Sequence, residues 1–374
     1  MQEIIMKKLL IISLLSTLFL SCAKQPETVQ LKAEYPVRGA DFGWLSEMEH
    51  DSVLFYDAEN RPTDCIRLYQ DAGMNAVRLR VWVNHATGWS NLPDVLAMAK
   101  RVQQVGLPLM VDLHYSDFFA DPAKQNIPEA WQQMNHEQLC EAVANHTREV
   151  LRALQEEGIY PIWIQIGNET TYGTLWPDGQ LSKVDVDREA YLPKERITRD
   201  IRLDWRAYAE LSNAGYDAAK EIMPEIICII HVDNAFIPRV NWFNRFRAEG
   251  GKWDMIGLSH YPFTQDTLSW KEMNDRCKAN VVALYEEFHT PVMMVEIGVK
   301  TEEMPTEAAA CMRDYMTQMK GLEGYSGVFY WEPEVYGGWR PAEYIPLGWG
   351  SYNMGCMTPE GQLSEAANIL YTDK

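Results

Sequence analysis

Short apolar runs that turn polar at their C-terminal ends recur along the chain, and most are separated by stretches with helical periodicity. The strand-like runs fall at 37–45, 76–83, 107–115, 160–169, 226–233, 255–261, 292–296 and 327–331. Between them, 92–105 sets Leu92, Val95, Leu96, Ala99 and Val102 on one helical face. The stretch 139–156 does the same with Leu139, Val143, Val150, Leu151 and Leu154, and 204–223 and 279–288 follow the same spacing. Gly73, Gly106 and Gly158 stand where helices need a left-handed C-terminal cap. Eight strands with crossover helices predict an α/β chain folded as a single (β/α)8 barrel. The alternative, a doubly wound open sheet, lacks the GxGxxG turn after its first strand. The segment 174–202 is polar and weakly patterned, and reads as a long loop over the barrel mouth.

The polar ends of these runs carry the chemistry. Leu109-Met110-Val111 leads to Asp112, His114, Tyr115, Ser116 and Asp117. Ile229-Ile230 leads to His231, Asp233 and Asn234, and Ile256-Gly257-Leu258 to Ser259, His260 and Tyr261. Val328-Phe329 leads to Tyr330, Trp331 and Glu332. A barrel collects all of these at its C-terminal face, where barrel active sites lie. Two further runs end in glutamate: Ile162 through Gly167-Asn168-Glu169, and Pro291 through Val295-Glu296. A carboxylate is costly to bury, so each of these needs a partner or a task. On the fourth and seventh strands the two side chains can face one another, as the acid and nucleophile of a retaining glycoside hydrolase must. Glu169 is the expected acid/base, its pKa raised by the second carboxylate, and Glu296 the ionised nucleophile. A lone Asn-Glu also suits a helix N-terminus; the pairing with Glu296 is what points to chemistry.

Around this pair, Asn168 is placed to bind the sugar hydroxyl beside the reacting carbon. Arg78 and Arg80 share one strand face and, if inward, need carboxylates, for which Asp41, Glu169 and Glu296 are available. His114 and His231 lack a close metal-ligand spacing and are expected to bind hydroxyls or orient a carboxylate. Trp82, Trp176, Trp331 and Trp339 are candidate stacking platforms, with core packing the alternative for each.

Composition narrows the partner. The chain has 374 residues, 47% hydrophobic, enough for one large core. Its formal charge of −19 repels phosphate backbones, which excludes nucleic acid and favours a neutral ligand. With 13 Trp and 18 Tyr it is well supplied with flat faces for sugar rings.

The N-terminus reads as a targeting segment. Lys7 and Lys8 precede an apolar stretch at 9–20, too short to span a bilayer comfortably, which ends Leu18-Phe19-Leu20-Ser21-Cys22. Residues 1–22 are therefore expected to be a bacterial lipoprotein signal with Cys22 as the acylated lipobox cysteine, although Phe19 stands where Leu is usual. Ordinary secretion is the alternative. Residues 23–34 form a polar tether and 35–374 the catalytic domain. The expected setting is an exported, membrane-anchored monomer in the periplasm, outer membrane or cell surface. The other six cysteines show no zinc or redox spacing and are expected to be buried thiols.

These residues resemble arabinogalactan endo-β-1,4-galactanases, glycoside hydrolase family 53. The matching runs begin with Arg38-Gly39-Ala40-Asp41-Phe42, Asn75 through Trp82, and Asp112-Leu113-His114-Tyr115-Ser116-Asp117-Phe118. They continue with Ala120-Asp121-Pro122-Ala123-Lys124-Gln125, Gln165 through Glu169, Leu175-Trp176-Pro177 and His231-Val232-Asp233-Asn234. Tyr261-Pro262-Phe263, Val295-Glu296 and Tyr330-Trp331-Glu332-Pro333 complete them. The resemblance implies a (β/α)8 barrel that cleaves β-1,4-galactan with retention, with Glu169 as acid/base and Glu296 as nucleophile. Asp41, Arg80, Trp82, His114, Asn168, His231, Asp233, Asn234, Tyr261 and Trp331 are the candidate substrate-binding residues. Ile297-Gly298-Val299-Lys300 replaces the family's usual Thr-Ala-Tyr-Pro, and His260 replaces a Tyr; both changes are expected to line the mouth. No Asp/Asn-rich cluster follows the seventh or eighth strand, where some relatives hold calcium, so no metal or cofactor is expected. A mannanase, a cellulase and a non-catalytic glycan-capture lipoprotein are the rival readings.

Overall fold

The computed structural model describes residues 31–193 and 203–372. Eight parallel strands close into a barrel: β1 (Val37–Asp41), β2 (Ala76–Val81), β3 (Leu109–Leu113), β4 (Trp163–Ile166), β5 (Ile227–Val232), β6 (Met255–His260), β7 (Val292–Ile297) and β8 (Tyr325–Trp331). Each strand pairs with its sequence neighbours, and β1 pairs with both β2 and β8 to seal the ring. The expected (β/α)8 architecture is therefore present. The expected signal segment, Cys22 and most of the tether lie outside the described residues. Among the described residues no helix is long and apolar enough to cross a membrane.

Alternation along the strands divides the interior into two layers. Val37, Ala76, Met110, Trp163, Ile229, Met255, Met293 and Phe329 form an apolar floor. Two positions further along β2 to β5 the inward side chains become Arg78, Asp112, Gln165 and His231, and four positions along β1 comes Asp41, all fully buried. Gly39 is required by this packing, because a Cβ there would lie 2.1 Å from the Phe329 ring. A second, larger apolar shell lies between the strands and the surrounding helices.

Of the four helical stretches read from the sequence, three are found within three residues of their expected bounds and the fourth begins earlier. α1 (Leu45–His50) and α2 (Cys65–Ala72) come first, and Asp64 caps the second while Gly73 at φ 114° ends it. α3 (Leu92–Gln104) and α4 (His136–Glu156) follow, the latter opened by an Asn135–Gln138 capping box. The segment expected to be one long loop instead contains a two-stranded turn, Gly173–Thr174 against Gly179–Gln180, and a short helix α5 (Lys183–Glu189) capped by Ser182. Two turns of helix are too short to show an apolar period. α6 (Leu203–Ile222) and α7 (Val240–Ala248) come next. α8 (Trp270–Phe288) starts earlier than its apolar stripe suggests, because Ser269 and Glu272 form a capping box ahead of a polar first turn. α9 (Pro305–Met319) and α10 (Glu365–Tyr371) complete the set. The described cysteines are free thiols, five of them buried and Cys140 half-buried.

Candidate active site

Strand ends deliver the polar layer to the mouth, and local backbone geometry aims it. The residues that leave β3, β4, β5 and β8 adopt left-handed conformations: Tyr115 at φ 49°, Glu169 at 46°, Asn234 at 50° and Glu332 at 48°. Side chains other than glycine rarely accept this region, at a cost of about 1–3 kcal/mol each, and it is concentrated at functional sites. Here it turns each chain sharply away from the barrel. Glu169 stands half-buried at the mouth. A register irregularity in β7 between Met294 and Ile297 breaks strict alternation, so Glu296 joins the polar layer. One oxygen of Glu169, one of Glu296 and a ring nitrogen of His231 all lie within 4.8 Å of one another. The two glutamates chosen from the sequence thus share one pocket.

Arg78 organises the floor of that pocket. Its Nη1 donates to Asp41, its Nη2 to Asp112 at 2.9 Å, Glu296 Oε1 at 2.9 Å and Asn168 Oδ1 at 3.0 Å, and its Nε to Gln165 Oε1 at 2.6 Å. Tyr261 donates its hydroxyl to Glu296 Oε2 at 2.9 Å. The nucleophile candidate is held at both oxygens.

A match to the Glycosyl hydrolase family 53 model extends over residues 37–366. The chain belongs to glycosyl hydrolase family 53. A protein of Niallia circulans described only by its position upstream of a neighbouring gene is 31% identical over 355 residues, covering 87% of this chain and 91% of that protein. The arabinogalactan endo-β-1,4-galactanase of Cellvibrio japonicus is 28% identical over 326 residues, 79% of each chain. A fungal β-1,4-galactanase structure superposes with a TM-score of 0.74 at 23% identity, covering 90% of this chain and 99% of its own. The resemblance read from the motifs is borne out at the level of family, fold and enzyme class: the protein is a glycoside hydrolase.

Within this family 53 enzyme the sequence-selected residues separate into two groups. Asn234, Tyr261 and Trp331 are half-buried and reach the open mouth. Asn168 is 5% exposed; its Nδ2 donates to Ala120 O at 2.8 Å and keeps a second hydrogen free for a ligand. The others support from below. Asp41 and Arg80 are buried, and Arg80 donates to Glu332, a partner the sequence reading did not assign, while Arg78 takes Asp41 and Glu296. Trp82 is 2% exposed and packs against Arg80, Phe118 and Phe119, so it walls the guanidinium and offers no face to a sugar. His114 spends both ring nitrogens inside the protein, Nε2 on Asp112 at 2.9 Å and Nδ1 on the Ala120 N–H at 3.0 Å. Asp233 is held by Thr171 and Arg239. His260 does not line the mouth: it is fully buried between β6 and the helices, bonded to Asn274 and stacked on Tyr315. Ile297 and Val299 are buried too, which corrects the expectation for these three positions, whereas Gly298 lies against Tyr261, where a Cβ would come within 2.8 Å of the ring.

Between the loops that follow β4 and β5 a groove of about 460 Å³ is lined by Tyr172, Trp176, Lys183, Asp233 and Asn234. On the opposite side Trp331 packs edge-on against Tyr352 and Trp44.

Burial dominates the electrostatics. It pushes Glu169 well above the ordinary carboxylate range, and the Glu296 charge adds to that, so the second carboxylate contributes less than desolvation does. Burial also raises Glu296, but Arg78 opposes it and the group sits at about 7. Asp112 shows the reverse balance: Arg78 and His114 outweigh burial and hold it at about 2. Glu332 is raised to about 8 by burial against Arg80. Burial, then the Arg78 charge, keeps His231 neutral. The Glu169–His231–Glu296 trio has the donor set of a metal site, yet His231 commits Nε2 to Ser259 Oγ at 2.7 Å and Nδ1 to Gln165 and Asn168 at 3.0 Å. A cation ligated by this ring would displace one of those bonds.

Proposed function

We propose that the enzyme hydrolyses β-1,4-galactosidic bonds within galactan or arabinogalactan chains by a retaining double displacement, with Glu169 as acid/base and Glu296 as nucleophile. The observation that carries the reading is the approach of the two carboxylates to within 4.8 Å. Retaining enzymes hold theirs about 5–5.5 Å apart, whereas inverting enzymes leave room for a water at about 6.5–9.5 Å. The order of proton affinities supports the roles: Glu169 holds its proton more tightly than Glu296, which is bound by a guanidinium and a phenol. Substrate identity is supported by the galactanase descriptions of relatives from Cellvibrio japonicus and Bacillus subtilis. On linear β-1,4-galactan the purified enzyme is expected to release short oligomers early, with β-configured reducing ends by proton NMR, and to leave mannan and cellulose oligomers intact. Preferential cleavage of mannan or cellulose, or α-configured initial product, would overturn the reading.

The site of action proposed is outside the inner membrane, on a lipid anchor at Cys22. The supporting pattern is the basic start, the apolar stretch and the Leu20-Ser21-Cys22 ending. Cys22→Ala is expected to move the protein from the membrane to the soluble fraction; retention in the membrane pellet would refute the anchor.

A further inference from the structure

Ser259 lies on β6 beside both carboxylates; the sequence places it among the polar strand ends without assigning it a role. It is 1% exposed. The pairing of β6 with β7 slips at this residue: Leu258 opposes Met294, but Ser259 opposes Glu296. The irregularity brings the serine into step with the nucleophile and points both into the pocket.

The hydrogen-bond inventory fixes what the hydroxyl does. Gln165 Oε1 accepts from Arg78 Nε at 2.6 Å, so its amide nitrogen is the group facing His231 Nδ1 at 3.0 Å. The Glu169 backbone N–H also points at Nδ1, at 3.3 Å. Asn168 Oδ1 also stands 3.0 Å from Nδ1, but it already accepts from Arg78 Nη2; with two donors aimed at it Nδ1 is the acceptor of a neutral ring, and Nε2–H then donates to Ser259 Oγ at 2.7 Å. The serine is left with one hydrogen of its own. Glu296 Oε2 is in reach at 3.4 Å. The Glu169 carboxyl is its neighbour, with one oxygen within 4.8 Å of a Glu296 oxygen and of a ring nitrogen of His231, to which the serine is bonded, and Ser259 favours its charged form.

We propose that Ser259 is a positioning residue whose single hydroxyl hydrogen follows the negative charge between Glu296 and Glu169 during turnover. The proposal rests on the retaining mechanism above. In the first half-reaction Glu169 gives its proton to the glycosidic oxygen as the C1–O bond breaks, and a Glu296 oxygen bonds to C1. Glu296 enters this step as an anion and Ser259 donates to it. The resulting ester is neutral and a poor acceptor, while Glu169 is now the anion, and the hydroxyl turns to it. In the second half-reaction water loses a proton to Glu169 as its oxygen attacks C1, the ester bond breaks, and Glu296 regains its charge. His231 stays neutral throughout and anchors the serine oxygen.

The two carboxylates depend on the serine unequally. Glu296 is also held by Arg78 and Tyr261, each at 2.9 Å, and its serine contact is the longest of the three. Among the described residues no guanidinium is recorded against Glu169, so its anion relies more on the hydroxyl. The remaining charges around the trio are Asp41 on β1, Arg78 on β2, Asp112 and His114 on β3 and beyond it, and Asp233 after β5. Asp121, Tyr261 and Tyr352 add to them from the loops. None of these is altered by a change at Ser259.

The test uses the full chain and an aryl β-galactobioside, with burst and steady-state phases followed across pH. In Ser259→Ala the deglycosylation rate is expected to fall about 10-fold, roughly one pK unit of lost charge-assisted bonding, with its acid limb moved upward by about 0.5–1 unit. The burst phase should fall by less than about 3-fold, since Glu296 keeps its other donors. Ser259→Thr, which keeps the hydroxyl, should restore the limb, and the near-isosteric Ser259→Cys, a weak donor, should shift it in the same direction as alanine. A uniform loss in both phases with unmoved limbs, or no change at all, overturns the proposal. An inverted product from the unmodified enzyme removes the retaining mechanism and this proposal together; a retained product with unmoved limbs removes this proposal alone.

Discussion

Replacing Glu296 with glutamine is expected to lower turnover on galactan about 10⁴-fold or more, because an amide cannot form the glycosyl ester. Glu169→Gln removes general acid and base help, worth about 10²–10⁴-fold. The two variants differ in what rescues them. An aryl leaving group needs no proton, so the glycosylation step of Glu169→Gln should recover on an aryl galactobioside while that of Glu296→Gln should not. pH dependence separates them further. In the unmodified enzyme kcat/KM should rise as Glu296 loses its proton near its value of about 7, and fall only at the higher pH where Glu169 loses its own. Glu169→Gln should abolish the alkaline fall and keep the acid limb. Near-normal turnover in either variant, with substrate binding intact, would show that the role assigned to that glutamate is wrong.

Arg78→Met is expected to be the most damaging single change outside the two glutamates. The guanidinium is the shared ion-pair partner of Asp41, Asp112 and Glu296, all buried, and the methionine leaves them facing one another. Breaking a buried ion pair from one side costs about 3–5 kcal/mol, because the partner charge stays behind without compensation. The sign of its pH dependence follows. Asp112 is held at about 2 in the folded enzyme, so its contribution is present above the ordinary aspartate range and is lost as pH falls toward that value. Without Arg78 the three carboxylates bind protons more readily, so the stability deficit should be largest at neutral pH and narrow as the solution is acidified. Urea unfolding of both proteins at pH 7 and pH 4.5 measures this; an equal deficit at both values would refute the account. Activity should fall with stability, since Arg78 also holds Glu296 Oε1.

The barrel was legible because parallel strands buried on both faces leave continuous apolar runs, and each run ended where the mouth begins. The two glutamates that share the pocket were legible for the same reason: a carboxylate directly after such a run has no inexpensive explanation. The layer beneath them was not. Arg78 and Arg80 sit two residues apart on one strand face, yet one meets Glu296 and the other Glu332, from strands far apart in sequence. Only closure of the ring decides which carboxylate each arginine finds. Trp82 and His114 lie at strand ends like true mouth residues, and burial by Phe118, Phe119 and Ala120 from a neighbouring loop removes them from solvent. His260 was misplaced for a related reason: alternation sends it outward, one position after the inward Ser259. Ser259 was visible as a strand-end residue, but not its place beside Glu296, because a strand irregularity, which no period reveals, brings the two level.

The apolar floor under the polar layer has a consequence for how a polymer meets this enzyme. Met110, Trp163, Met255, Met293 and Phe329 close the barrel from below, so the depression at the top is a blind cup with no exit. A glycan cannot thread through it. On the proposed mechanism it drapes across the rim with both tails in water, and any linkage along its length that settles over the two glutamates is open to attack.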